Sequence, residues 1–146
     1  MIEKFYPKLL VVLQFGLIGL MIFFSHGILN SVLGLTIFIL GLAIGLWAIS
    51  HNKRGNFNIQ PNLRDGCELI TTGAYRYIRH PMYTSVITMM FAVLLATPTL
   101  LELIFFITLI MILILKAKRE ENLWCGHDKT YTEYKKITKL FIPYIL

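Results

Sequence analysis

Charge is scarce in this sequence. Only 15% of its 146 residues are Asp, Glu, Lys or Arg, where a soluble domain carries about 25%. With 56% of residues hydrophobic, the shortage argues against a soluble fold. Cysteine is almost missing: Cys67 and Cys125 are the only two, which excludes a disulfide framework. No C-x-x-C or H-x-x-x-H spacing links them to His51, His80 or His127, so no metal site is expected. Internal repeats and low-complexity stretches are absent too. No small-x-small cleavage site follows Phe24, so the first apolar run is expected to stay as a span and not to be removed as a signal peptide. The length predicts one domain over residues 1–146.

Four long runs free of Asp, Glu, Lys and Arg dominate what is present: Leu9 to Phe24, Ile28 to Ser50, Met82 to Thr97 and Leu103 to Leu115. About 20 apolar residues cross a bilayer, and snorkelling lysines with interfacial aromatics extend shorter runs. The expected fold is all-α, an integral membrane bundle of about four spans near 8–25, 28–50, 81–97 and 100–116. A shallow hairpin from Met82 to Leu115 is the alternative to two full crossings. Ser25-His26-Gly27 and Thr97-Pro98-Thr99 read as turns, and Gly41 and Gly45 as a small-x-x-x-small packing pair.

Every Lys and Arg lies before the first run, between the second and third, or after the fourth. The positive-inside rule then predicts a multi-pass cell-membrane protein with both termini, the loop 51–80 and the tail 117–146 in the cytoplasm. The net charge of +6 is thus topological. It gives no case for nucleic acid as a partner; the partner is the bilayer and its anionic lipid.

The loop from His51 to His80 is long for a connector, and such loops are functional or disordered. Phe57, Ile59, Leu69, Ile70, Tyr75 and Tyr77 call for burial, which argues for order. Pro81 suits the first turn of the third span. The N–H groups of that turn, with Arg76 and Arg79, form either an anion site or a simple membrane-surface anchor. Beyond the fourth span the chain reads as a helix that leaves the membrane and lies along it. There Lys116 and Glu120 have the spacing of a solvated helical pair, and Tyr131 and Tyr134 that of interfacial packing.

GAYRYIRHPMY, followed across one helical hairpin by REENL, then Y-x-x-Y and FIPYI, resembles the isoprenylcysteine carboxyl methyltransferase family. That family is similar in turn to the membrane phospholipid methyltransferases. The likeness runs roughly from Asn56 to Tyr144. Thr84 and Ser85 stand where the family has a glycine, the F-G pair is missing, and the stretch from Glu120 to Tyr131 is one residue short.

The resemblance implies S-adenosylmethionine as methyl donor and a lipid-like or prenyl-like acceptor, with carboxylate O-methylation first. It puts Glu120 at the cofactor's amino group, and His80, Pro81, Met82 and Tyr83 at its polar end. Tyr75 and the strip Glu68, Leu69, Ile70 would line the cofactor pocket, and Gln60 would add a polar contact. Tyrosine faces favour a sulfonium. Methyl transfer needs placement and desolvation, so Arg79 and Lys116 are the expected cations for an acceptor carboxylate. An amine or thiol acceptor would need His80 or Glu121 to take a proton. The alternatives are a phospholipid amine N-methyltransferase, an NADPH-dependent sterol-type reductase, and a non-enzymatic four-span protein. The reductases carry R-H-P-N-Y, where this chain has Met82, and acidic Glu120-Glu121 suits an amino group better than a nicotinamide phosphate. A non-enzymatic protein would be expected to hold an ionisable residue deep within a span; only Glu102 approaches that, near an end.

Overall fold

Inside lipid an apolar segment can satisfy its backbone only with its own hydrogen bonds, so each apolar run must become a helix. The computed structural model describes residues 2–53, 56, 58–63 and 66–143, with side chains from residue 5. It contains α1 (Ile2–Phe24), α2 (Val32–His51), α3 (Pro81–Ala96), α4 (Leu100–His127) and a short α5 (Thr130–Ile137). Among the described residues the only extended pairing is an isolated parallel bridge between Ile78 and Lys139. The chain is an integral membrane helical bundle.

Over Phe5–Phe24, Val32–His51 and Leu100–His127 the helices are long and apolar enough to cross a membrane, while α3 has 16 residues. At 1.5 Å per residue it reaches about 24 Å, short of a core about 30 Å thick. Pro81 sets its start and Pro98 blocks its continuation. Helix α2 starts at Val32 and not near residue 28, because Gly27 turns left-handed (φ 92) and Ile28–Asn30 form a 3-10 turn. Ser31 then caps α2, accepting from Gly34 N at 3.0 Å.

Nothing between Leu100 and His127 stops α4, so the span and the polar block after it are one helix. Its buried face runs through Phe106, Leu109, Leu113, Lys116, Ala117 and Glu121, spaced for one stripe. The stripe that builds the core therefore continues directly into charged side chains. The core joins Met21 of α1, Met90 and Val93 of α3, and Phe141 of the tail to that stripe.

Helix α1 packs on α4 and α2 packs along α3. Gly41 and Gly45 make the α2–α3 contact close. A Cβ at Gly41 would meet Met89 Cγ at 2.8 Å and Met89 N at 2.9 Å, and one at Gly45 would meet Ser85 Oγ at 2.6 Å. Ser85, standing near the missing family glycine, donates to Gly41 O at 2.7 Å. Gly41→Ala is expected to destabilise by about 1–3 kcal/mol through overpacking. Gly16, with nothing within 4 Å of its Cβ position, is the control: Gly16→Ala should leave the melting temperature equal or higher. Thermal unfolding in one detergent compares the two.

At the end free of Lys and Arg, Thr97 Oγ1 joins the two turns, accepting from His26 N and donating to His26 O, both at 2.8 Å. Glu102 lies in the first turn of α4 there. It is wholly buried, and neither carboxylate oxygen has a partner among the described residues.

Candidate functional site

At the Lys- and Arg-rich end the described residues of the loop between α2 and α3 fold back over the bundle. Asn56 pins the strip 68–70: its Nδ2 donates to Glu68 O at 2.5 Å, and its Oδ1 accepts from Glu68 N at 2.9 Å. Gly73 is left-handed (φ 60), and a Cβ on it would lie 2.4 Å from the His51 ring. Only glycine fits that approach, and the 3-10 turn it opens carries Tyr75. Pro81 is the first residue of α3, and the His80 carbonyl takes the N–H groups of Tyr83 and Thr84 at 3.0 and 3.1 Å.

The tail is strapped to this helix start. Arg79 N donates to Lys139 O at 2.8 Å, His80 N to Leu140 O at 3.2 Å, and Thr84 Oγ1 to Phe141 O at 2.8 Å. Below the strap lies a buried ionic cluster. Arg79 Nε donates to Glu121 and its Nη1 to the Thr138 carbonyl. Lys135 reaches the other Glu121 oxygen at 2.7 Å. His80 Nδ1 stands 3.4 Å from Glu120, and its Nε2 stands 3.7 Å from Glu121 without a hydrogen-bond partner. The Tyr83 hydroxyl donates to Glu120, and the Tyr83 ring stacks on His80 at 5.4 Å between centroids.

Burial alone would raise the Glu121 carboxyl, but His80, Lys135 and Arg79 together hold it down to about 2. Burial would lower His80, but Glu120 and Glu121 outweigh it and raise the imidazole. Burial, with Glu120 nearby, pushes the Tyr75 hydroxyl up to about 12. The first two shifts define a pH window. Glu121 stabilises the folded state above its ordinary 4.5, and this is lost as pH falls toward about 2. The His80 contribution is complete below its ordinary 6.5 and is lost as pH rises through the raised value. Thermal stability should therefore peak between pH 4.5 and 6.5. Glu121→Gln should flatten the acid side of the melting-temperature profile.

A cavity of about 420 Å³ lies against this cluster. Glu68, Leu69, Ile70, Tyr75, Arg79, His80, Pro81, Met82, Tyr83, Lys116 and Glu120 all stand on its wall. Gln60 does not. It belongs to an asparagine knot in the loop, its N–H on Asn58 Oδ1 at 3.1 Å. Arg76 is exposed and off the wall. Arg79 stands on the wall with its guanidinium paired to Glu121 and to the Thr138 carbonyl of the tail. Lys116 does not pair with Glu120; it bonds Gln14 Oε1 at 2.5 Å and the Ile59 carbonyl at 3.0 Å.

Sequence reasoning missed several wall residues. Gln14 is a lone polar residue in an apolar run, and Asn52, Asn56 and Asn58 belong to no motif that sets them apart from other loop residues. Tyr131 and Tyr134, read as interfacial, line the cavity together with Trp124. Trp124 and Tyr131 stack at 5.8 Å with 14° between planes. The opposite half of the wall is apolar, with Phe15 and Ile18 from α1, Leu42, Leu46 and Ile49 from α2, and Val86 and Met89 from α3.

Residues 29–131 match the family model of the phospholipid methyltransferases. The chain belongs to the phospholipid methyltransferase family. No curated protein matches it. The family match takes in α2, the loop, α3, α4 and the first two residues of α5, and therefore most of the cavity wall. Gln14, Phe15, Ile18 and Tyr134 lie outside it. Membership in the phospholipid methyltransferase family, with three apolar spanning helices, makes the protein a membrane methyltransferase. It favours neither a reductase nor a non-enzymatic bundle.

Proposed function

We propose that the protein transfers the methyl group of S-adenosylmethionine to a lipid-like or prenyl-like acceptor that enters from the bilayer, with a carboxylate as the methylated group. The supporting observation is the two-ended cavity. Glu120, His80, Tyr83, Tyr75 and Trp124 surround one end, while Phe15 and Ile18 of α1 and Leu46 and Ile49 of α2 line the other. A polar cofactor and an apolar acceptor can thus meet without crossing each other's path.

The residues fit the cofactor's chemistry. The Glu120 carboxylate accepts the Tyr83 hydroxyl's hydrogen bond on one oxygen and keeps acceptor capacity for an amino group. Tyr75, Leu69 and Ile70 supply a half-buried wall for the nucleoside, with exposed Glu68 at its edge, and aromatic faces suit the cationic sulfur. When bound, S-adenosylmethionine supplies an electrophilic methyl group. The protein's own work is to place the acceptor and exclude water, and Lys116 is the cation that orients a carboxylate. A phospholipid amine is the second reading, favoured by the family match. In that case the amine must lose a proton, and Glu120 and His80 are the titratable groups on the adjoining wall.

Both termini and the loop 51–80 face the cytoplasm in this reading. In a background with Cys67 and Cys125 replaced by serine, single cysteines at Asn30 and Thr99 should react only with an external thiol reagent. Those at Lys53 and Lys129 should react only from inside. External labelling at Lys129 would separate the tail from a cytoplasmic cofactor. Calorimetry on the purified protein tests the cofactor: binding of S-adenosylmethionine is expected, and binding of NADPH alone would overturn it.

A further inference from the structure

Lys116 is a buried cation without a counter-ion. Its side chain is 1% exposed, and it forms no ion pair among the described residues. Glu120, one turn further along α4, is turned to Tyr83 and His80 instead. An ammonium carries three N–H donors. Two go to Gln14 Oε1 and the Ile59 carbonyl, and Nζ stands 5.2 Å from the Tyr83 ring centroid. The third has no partner among the described residues. Desolvating a cation is costly unless an anion meets it, and the open side here is the cavity.

Gln14 completes the arrangement. It is a buried amide in the apolar run of α1, on the cavity wall. Because an ammonium can only donate, the amide oxygen must be the atom on Lys116. The amide nitrogen, with two donors and no partner among the described residues, is left for the cavity. The pair stands where the polar end gives way to Phe15, Ile18 and Leu46.

We propose that Gln14 and Lys116 together form a subsite for an oxyanion on the head of the amphiphilic acceptor. Gln14 holds the ammonium in place and donates to the same anion. The inference rests on the bilayer-entry reading above and adds the acceptor's class: an anionic or zwitterionic amphiphile. The oxyanion is either the reacting carboxylate or a phosphodiester beside a reacting amine. Both present anionic oxygens to the same donors.

Binding without turnover tests this on the full chain in a neutral detergent. The probes are dodecanoate, dodecyl phosphate and, as control, dodecyltrimethylammonium, with S-adenosylmethionine titrated into the same samples. The wild type is expected to prefer an anionic probe over the cation. Gln14→Met, close in shape, should weaken that probe about tenfold, the scale of a lost charge-assisted contact, and leave cofactor affinity within about twofold. Gln14→Glu, which gives Lys116 an internal counter-ion, should abolish the preference. A larger loss for dodecanoate assigns the reacting carboxylate, and a larger loss for dodecyl phosphate assigns the phosphodiester. Anion binding unchanged in both variants, or equal losses for anion and cation, would overturn the subsite. Gln14-dependent anion binding without any cofactor binding would instead retain the subsite and remove the methyl-transfer reading.

Discussion

Arg79→Ala should lower stability by about 3–5 kcal/mol, the scale of removing one partner from a buried ion pair. Arg79 and Glu121 side chains are 9% and 5% exposed, so solvent cannot replace the lost guanidinium. Lys135 and His80 still face Glu121, which places the expected loss at the lower end of that range. The same change releases the Thr138 carbonyl and so loosens the strap that holds the tail on the α3 start. Hydrogen exchange should rise first at Lys139, whose N–H bonds Tyr77 O at 3.2 Å. Combining Arg79→Ala with Glu121→Ala should recover part of the stability, because no unpaired charge then stays buried. Purely additive losses in the double variant would show that the two side chains do not act as a pair.

Glu120→Ala should reduce S-adenosylmethionine affinity tenfold or more, since a hydrogen bond to a charged group contributes about 1.5–3 kcal/mol. Tyr83→Phe removes only the hydroxyl that orients Glu120 and should have a smaller effect. Neither substitution touches the Arg79–Glu121 pair, so melting temperatures should move far less than affinity. Calorimetry and thermal unfolding on the same preparations separate the two. Equal affinity for wild type and Glu120→Ala would exclude Glu120 as the contact to the amino group.

The helices were legible because hydropathy and charge act directly on a chain in lipid. Leu103 to Leu115 has no alternative to a helix there, and Lys53 or Lys129 cannot follow it into the bilayer. Gly41 and Gly45 were legible as a packing pair because their spacing is the physics of the contact. What escaped was decided by partners distant in sequence. Spacing allowed Lys116 to meet Glu120, yet Gln14, 102 positions away, takes the ammonium. Arg79 sits beside His80 in sequence, but the tail carbonyl at Thr138 decides where its guanidinium points. Helical spacing put Tyr131 and Tyr134 on one face without saying that the face turns inward. The reversal at Asp128, which accepts from Thr130 N at 2.8 Å, does that. Gln60 was placed by family pattern, whereas Asn58 and Asn62 hold it in a local knot.

The central claim is methyl transfer to an acceptor drawn from the membrane, and product analysis tests it most directly. The protein, reconstituted with a total membrane lipid extract, would receive S-adenosylmethionine labelled in its methyl group. Label is expected in the organic phase, released as methanol by mild base if the acceptor is a carboxylate and stable if it is a lipid amine. Label found only in water-soluble products would contradict entry from the bilayer, and no transfer into any fraction would contradict the proposed activity.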